Sequence, residues 1–580
     1  MKEYDCVTQF ENLSNEIIYE IFDYLDIYQA YRNFYDLNIR FHNLLTLSNY
    51  PIEVNLFNIS KLSFEEHYQE FFQFNSHRIR SLYISNGFII HLIISLAENQ
   101  LLFRRLQTLY LNNIDLTNSK DLFNYLFLLP NLSALTFSSN NNCYDKNMIF
   151  EQIFRLSSLK YFKISLNQQH DTTSDLLTIT NEYSSPIEHL IIDSNINLEE
   201  FLLLLAYVPR LRRLSIKCLI STSKLYSEIS SIILNHLTHV SIKLKYIRFD
   251  VFEPLMKILF QNLQFLCIST YMDNEYINAQ KWERLITNHM THLRIFDLQH
   301  ETSSINSLHC EHLMNQFSTL FWTERKWFFT HEHNYSGRSN QGLFYSIEPY
   351  RRKDYILNNI ANQCNYSYHS KNNLDAVRHI HIEHRFAIDN HSVNIPHANE
   401  VTFGKNVYIS REVIANLNNS IIPLSRLTKI TIDSDYISLY NIINVLCLTP
   451  NCRKLTLTSL SYDERELVSI QYNENFQNLS QKNTMKDVTV KSCTFEEIQL
   501  VVNLFRQLEH LTINVSQKDF QSIVKYLLNT NENIRYLHSL YIRSTNDIWI
   551  EKLMNIIKEI RQDDEVFINI INCFDCYLWW

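Results

Sequence analysis

The chain has 580 residues, 46% hydrophobic and 19% charged, enough apolar material to bury one elongated core or several rather than remain disordered. Its formal net charge of −9 argues against a general affinity for nucleic acid, because neutralising phosphates needs a basic surface. Only four glycines occur (Gly87, Gly337, Gly342 and Gly404), too scattered for a phosphate-cradling loop, and no G-x-S-x-G elbow is present, so nucleotide binding and serine hydrolysis are disfavoured.

In chain order, "MKEYDCVTQF" lacks an apolar core, so no secretory signal is expected there. Residues 5–48 read as a small helical domain. In "FENLSNEIIYEIFDYLD" (10–26), Ser14 can accept from the free N–H groups of a first helical turn, and Glu16 favours the positive helix end. Ile17, Ile18, Ile21, Phe22 and Leu25 then fall on one face. A second apolar pattern, Ile27, Ala30, Tyr31, Phe34, Leu37, Phe41, Leu44 and Leu45, with Asp26 as its cap, predicts the other arm of a helical hairpin. Residues 49–78 are expected to be linking helices.

From residue 79 a motif, apolar-x-x-apolar-x-apolar, recurs about every 24–30 residues, which is the leucine-rich-repeat range. It reads "IRSLYI" (79–84), "LQTLYL" (106–111), "LSALTF" (132–137), "LKYFKI" (159–164), "IEHLII" (187–192), "LRRLSI" (211–216), "LTHVSI" (237–242), "LQFLCI" (263–268) and "LRIFDL" (293–298). Helix-length segments lie between these motifs, two of them ending at Pro130 and Pro209. A strand and a helix, repeated, cannot bury their apolar faces singly, so neighbours are expected to stack into a curved α/β solenoid over 79–300. Strand alternation places Tyr83, Tyr110, Thr136, Lys163, Ile191, Ser215, Ser241, Cys267 and Asp297 outward.

Across 301–375, "FWTERKWFFTHEHNYSGRSNQGLFYSIEPYRRKDY" predicts a β-hairpin insert turning at "SGRSNQG". Degenerate motifs resume over 376–580: "VRHIHI" (377–382), "LTKITI" (427–432), "CRKLTL" (452–457), "MKDVTV" (485–490), "LEHLTI" (508–513) and "LHSLYI" (537–542). Their outward residues are His381, Thr431, Thr456, Thr489, Thr512 and Tyr541, and "VFINIINCFDCYLWW" reads as a last strand and cap. Of the outward positions, Tyr83, Tyr110, Lys163, Asp297, His381 and Tyr541 are the candidates for contact with a partner protein.

No catalytic constellation stands out. "CFDC" (Cys573, Cys576) is half a zinc motif without its other half, and Cys447 and Cys452 are poorly spaced for ligands. His379 with His381, and His331 with His333, each share a strand face, but nothing in the spacing brings the two pairs together, so exposed strand positions explain them and no metal or cofactor is expected. The basic stretches Arg351–Lys353 and Arg325–Lys326 read as a solvated face, with recognition of an acidic or phosphorylated motif as the alternative. Trp322 and Trp327 read as aromatic core. Eleven cysteines and apolar runs shorter than a bilayer crossing lead to the expectation of a soluble chain in the cytoplasm or nucleus, without a membrane partner.

The stretch "FENLSNEIIYEIFDYLD" with "YRNFYDLNIRFHNLL" resembles the F-box. The match runs through an apolar residue, Leu13, an acidic–aliphatic–aliphatic run at Glu16–Ile18, then Ile21–Phe22 and Tyr24–Leu25, with Phe41 where an aromatic is usual and Ser14 in place of a proline. An F-box followed by leucine-rich repeats is a known architecture. The resemblance implies a non-enzymatic substrate receptor of a Skp–cullin–F-box ubiquitin ligase. Leu13, Glu16, Ile17, Ile18, Ile21, Phe22 and Leu25 would contact the Skp-type adaptor and, through it, the cullin, while the repeats hold an unknown protein substrate. The alternative is a repeat scaffold whose N-terminal helices cap the first repeat.

Overall fold

A computed structural model describes residues 10–25, 27–47, 50–57, 59–65, 69–98, 103–112, 114, 119–139, 146–166, 184–221, 232–302, 307–336, 339–347, 350–357, 374–383, 388, 394–405, 407–434, 438–459, 470, 472–516, 518–529, 534–544, 549–560, 566–570 and 575–580. The fold is mixed α/β, with two large and mostly parallel sheets. The chain divides into two compact units, Met1–Lys217 with Lys224–Leu237, and Cys218–Ser223 with Thr238–Trp580.

The first unit opens with helices α1 (Asn15–Tyr24), α2 (Ile27–Phe34) and α3 (Ile39–Thr46). The single second arm expected from the apolar pattern is thus two helices. The chain turns at residues 35–37, and Asn38 starts α3 by accepting from the Phe41 N–H at 3.0 Å. Asp26 lies outside the described residues. The segment expected as linking helices carries a single helical turn (Lys61–Ser63), a helix, α4 (Gln69–Asn75), and also a strand, β1 (Ile52–Leu56). Ile52, Val54 and Leu56 alternate inward, which is strand rather than helix periodicity.

Strands β2 (Ile79–Ile84), β3 (Thr108–Leu111), β4 (Ala134–Ser139), β5 (Tyr161–Leu166), β6 (His189–Asn197) and β7 (Arg213–Ile220) follow in chain order. In each, the paired apolar residues of the motif (Leu82 and Ile84, Leu109 and Leu111, Leu135 and Phe137) are buried on the same face. The leading apolar residue is buried too, and its N–H closes a tight turn onto an apolar residue three positions earlier: Leu106 on Phe103, Leu132 on Leu129, Leu211 on Val208. That turn lies between the preceding helix and the next parallel strand.

In the second unit β8 (His239–Lys245), β9 (Phe265–Tyr271) and β10 (Ile295–Thr302) are parallel neighbours. The hairpin strands β11 (Phe328–Ser336) and β12 (Ser339–Ile347) pair antiparallel, with β12 also antiparallel to β10. The centre of their turn, Gly337 and Arg338, lies outside the described residues. Trp322, Trp327, Phe317, Phe329 and Phe344 form an aromatic core beneath them, Trp322 and Trp327 being 6.1 Å apart between ring centres.

The other sheet runs in the order β13 (Asp354–Leu357), β14 (His379–Ile382), β15 (Glu400–Phe403), β16 (Lys429–Ile432), β17 (Lys454–Leu457), β18 (Asp487–Cys493), β19 (His510–Val515), β20 (Ser539–Ser544), then β22 (Asp575–Trp579) and β21 (Phe567–Ile570). All pairs are parallel except the last two. The closing sequence therefore makes two antiparallel strands rather than one. One face of this sheet is covered by helices such as Phe495–Leu504, whose cap Thr494 and third residue Glu497 satisfy each other's backbone N–H groups.

Candidate functional site

The residues singled out by the sequence lie on the N-terminal helices and on the outward face of each sheet. On the helices, Ser14 caps α1 by accepting from the Ile17 N–H, and backbone and Ser14 hydrogen bonds hold the exposed Glu16 carboxyl below its ordinary value. Ile18 and Phe22 turn inward, where Phe22 meets Phe34 at 5.4 Å and Phe34 meets Phe41 at 5.5 Å. Both are part of the chain's own core, so they are not free to contact an adaptor. Leu13, Ile21 and Leu25 are half-buried, and Ile17 is 42% exposed. Tyr24 (92%) and Ile39 (79%) are exposed as well, apolar surface outside the predicted contact set because neither keeps the inward periodicity.

Two arginines fasten this region. Arg40 at the start of α3 reaches back to the Leu13 carbonyl and the Asn15 side chain, both at 2.6 Å, and to the Glu11 carbonyl. Arg78, buried just before β2, donates to the carbonyls of Leu45 (2.7 Å) and Tyr50 (3.0 Å) and to Asn75 Oδ1 (3.0 Å). Tyr31 of α2 packs edge-on to Phe71 of α4 at 5.4 Å.

On the first unit's sheet, Asn55, Tyr83, Tyr110, Thr136, Lys163 and Ile191 stand in one cross-strand register. Tyr83 and Tyr110 are half-buried and cluster with Phe57, which sits 6.2 and 5.4 Å from them. Burial, then the Glu53 carboxylate, raises the Tyr83 phenol above its ordinary value. Lys163 is half-buried in the same row.

Asp297 departs from expectation. It is buried and ion-paired at 3.1 Å with Arg352, which also donates to Ser269 Oγ (2.7 Å) and the Ile268 carbonyl (3.2 Å). The segment after the hairpin lays this arginine over the sheet, so neither Asp297 nor Arg352 offers a free charge to a partner. Tyr541 is also buried, and burial pushes its phenol up to about 12. The antiparallel strand β22 places Tyr577 directly opposite it. Arg325 is exposed and lies over the Phe321 ring at 4.0 Å.

The second sheet presents the more ordered face. Its central row reads His381, Thr402, Thr431, Thr456, Thr489, Thr512, Tyr541 in direct register. The row beside it reads Asp354, His379, Glu400, Lys429, Lys454, Asp487, His510. Charges there meet their opposites: Lys429 with Glu400 (2.8 Å), Lys454 with Asp487 (2.6 Å) and, beyond the threonines, Lys491 with Asp433 (2.5 Å) and Arg543 with Asp575 (3.1 Å). Opposite charges directly across strands are the favourable arrangement. Asp354, Thr402 and Glu400 escaped the sequence reading because the position that leads the motif holds Arg352 before β13 and only the small Ala398 before β15.

Two groups on this sheet bring together metal-ligating atoms, Asp354–His379–His381 and Glu509–His510–His538. Burial holds His510 down to about 4 and His538 to about 3, with Lys454 and Lys486 adding to the first and His510 to the second. His331 and His333 lie on β11 of the other sheet. Cys576 is buried, burial raises its thiol well above the ordinary value, and Cys573 lies outside the described residues. Among the described residues no helix is long and apolar enough to cross a membrane. No family model matches the chain, and no curated protein matches it.

Proposed function

We propose that the protein is the substrate-recognition adaptor of a Skp–cullin–F-box ubiquitin ligase, with its N-terminal helices docking on the Skp-type adaptor and its strand–helix repeats, read as a leucine-rich-repeat-like solenoid, holding a protein substrate. The observation that supports this most is the exposure of Ile17, Tyr24 and Ile39, together with the acidic Glu16, on the small helical unit that resembles the F-box. Isolated exposed apolar residues are ordinary; several on one small helical unit mark an interaction surface. The chemistry belongs to the ligase. The adaptor contributes proximity, raising the effective concentration of one protein beside the transfer machinery. Within each unit the outward strand residues would supply the hydrogen bonds, Tyr83 and Tyr110 on the first sheet and the threonine row on the second.

A second reading, in which the helices only cap the first strand, is favoured by the Arg78 hydrogen bonds and the Tyr31–Phe71 contact. Calorimetric titration of the full chain with a purified Skp-type adaptor separates the two. Binding that is lost in an Ile17→Asp, Tyr24→Asp double variant of unchanged thermal midpoint supports the adaptor role. No binding by the unaltered chain at micromolar concentration overturns it and leaves the cap.

A further inference from the structure

We propose that Asp354, His379 and His381 form a binding site for a divalent transition-metal ion of zinc-like ligand preference, on the solvent side of the second sheet at its β13–β14 edge. The inference is independent of the adaptor reading. Parallel pairing sets Asp354 directly opposite His379, and strand alternation puts His381 on the same face one step along. Asp354 Oδ1 lies 3.1 Å from His379 Nδ1 and 4.0 Å from His381 Nε2, and one ligand atom from each of the three falls within 4.8 Å of the others. An ion bound at ~2.0–2.1 Å to each needs donor atoms roughly 3.3 Å apart in tetrahedral geometry, so small side-chain rotations close the set.

The outer contacts fit the same chemistry. His379 Nε2 is 2.8 Å from Thr402 Oγ1. With Nδ1 turned to the ion, Nε2 must carry the proton and donate it to this hydroxyl, the arrangement that fixes a ligating imidazole's orientation. Two histidines and one carboxylate suit zinc, iron(II), cobalt or nickel rather than calcium or magnesium, which prefer oxygen. The fourth position faces solvent, open to water or to a donor atom of a bound protein. The other group is poorer: Lys486 Nζ sits 2.5 Å from a Glu509 oxygen, and its ammonium both occupies that ligand and repels a cation. At the β13 edge the ion would pin a four-residue edge strand to the sheet, since the two ligating histidines and Asp354 belong to different strands.

The test is titration of the metal-free full chain with Co2+, read by visible absorption, and with Zn2+, read by competition against a chromophoric chelator. One ion per chain is expected, with a cobalt spectrum of nitrogen and oxygen ligation and no thiolate charge-transfer band. Asp354→Asn, at an exposed position, should weaken zinc binding about tenfold or more without lowering the metal-free thermal midpoint, and His379→Ala with His381→Ala should abolish it. Thr402→Val keeps every ligand and should still weaken binding about tenfold. Zinc should raise the thermal midpoint of the unaltered chain and not of the double-histidine variant. Undiminished one-to-one binding in that variant, a thiolate band, or no binding at micromolar free ion overturns the assignment.

Discussion

Arg78→Met tests what ties the N-terminal helices to the first sheet. The replacement keeps most of the apolar stem and removes the guanidinium, which makes three hydrogen bonds of 2.7–3.0 Å from a buried position to Leu45, Tyr50 and Asn75. Each hydrogen bond to a charged group is worth about 1.5–3 kcal/mol, but returning the guanidinium to water in the open state offsets part of that sum. The two backbone carbonyls left without their donor can be rehydrated if the helices lift away, so about 3 kcal/mol of local stability is the expected loss. That corresponds to a roughly hundredfold rise in the opening equilibrium of residues 15–47. Hydrogen exchange read by mass spectrometry resolves it: peptides across α1–α3 should lose protection while peptides across β16–β19 keep theirs. Unchanged protection in α1–α3 would refute the reasoning, and loss of protection everywhere would mean that the helices and the sheets unfold as one body.

Two further outcomes follow from the second sheet. His510 and His538 have folded-state values of about 4 and about 3, below the ordinary value near 6.5, so on acidification the unfolded chain takes up protons first. Stability is full above pH ~6.5 and falls toward the folded values, by at most ~1.4 kcal/mol per pH unit per histidine; urea unfolding between pH 7 and 5 should show this slope, and His538→Gln should flatten it. By contrast Lys454→Ala, which removes a half-exposed partner of Asp487, should change stability by less than about 1 kcal/mol in the same assay, and a loss above about 2 would contradict the surface character of these pairs.

Much of the repeat was legible because burial leaves a periodic mark. Leu82 with Ile84, or Leu455 with Leu457, must alternate with outward residues if one face is to be covered. Of the turn that precedes each strand only the second apolar residue, such as Leu106, was marked by the motif; its partner three positions earlier, Phe103, was not. One strand was not legible: ahead of Asp354–Leu357 the leading apolar position of the motif is taken by Arg352, in a basic run, so the motif does not register. The polar constellations were hidden for a different reason: Asp354 and His379 are 25 residues apart in sequence and become neighbours only through parallel pairing. Nor does any local pattern say that Arg352 will lie across β9 and β10 and neutralise Asp297.

The N-terminal stripe shows why such a pattern under-determines its use. Successive residues on a helix point about 100° apart, so Ile17 and Ile18 cannot both serve the same contact fully. In α1 the interior takes Ile18 and Phe22, four apart, and leaves Ile17 and Tyr24 on the solvent side with Ile21 between them. A sequence holding both sets reads as one broad apolar face. Fastening to the first sheet and docking a partner are therefore not competing demands on the same side chains: the inward pair, with Arg40 and Arg78, can hold the helices in place while the outward set stays available. A substitution at Ile18 or Phe22 that abolished adaptor binding would carry no information about docking, because it would empty the core that positions the surface. Only outward positions separate the readings, which is why Ile17 and Tyr24 are the residues to change.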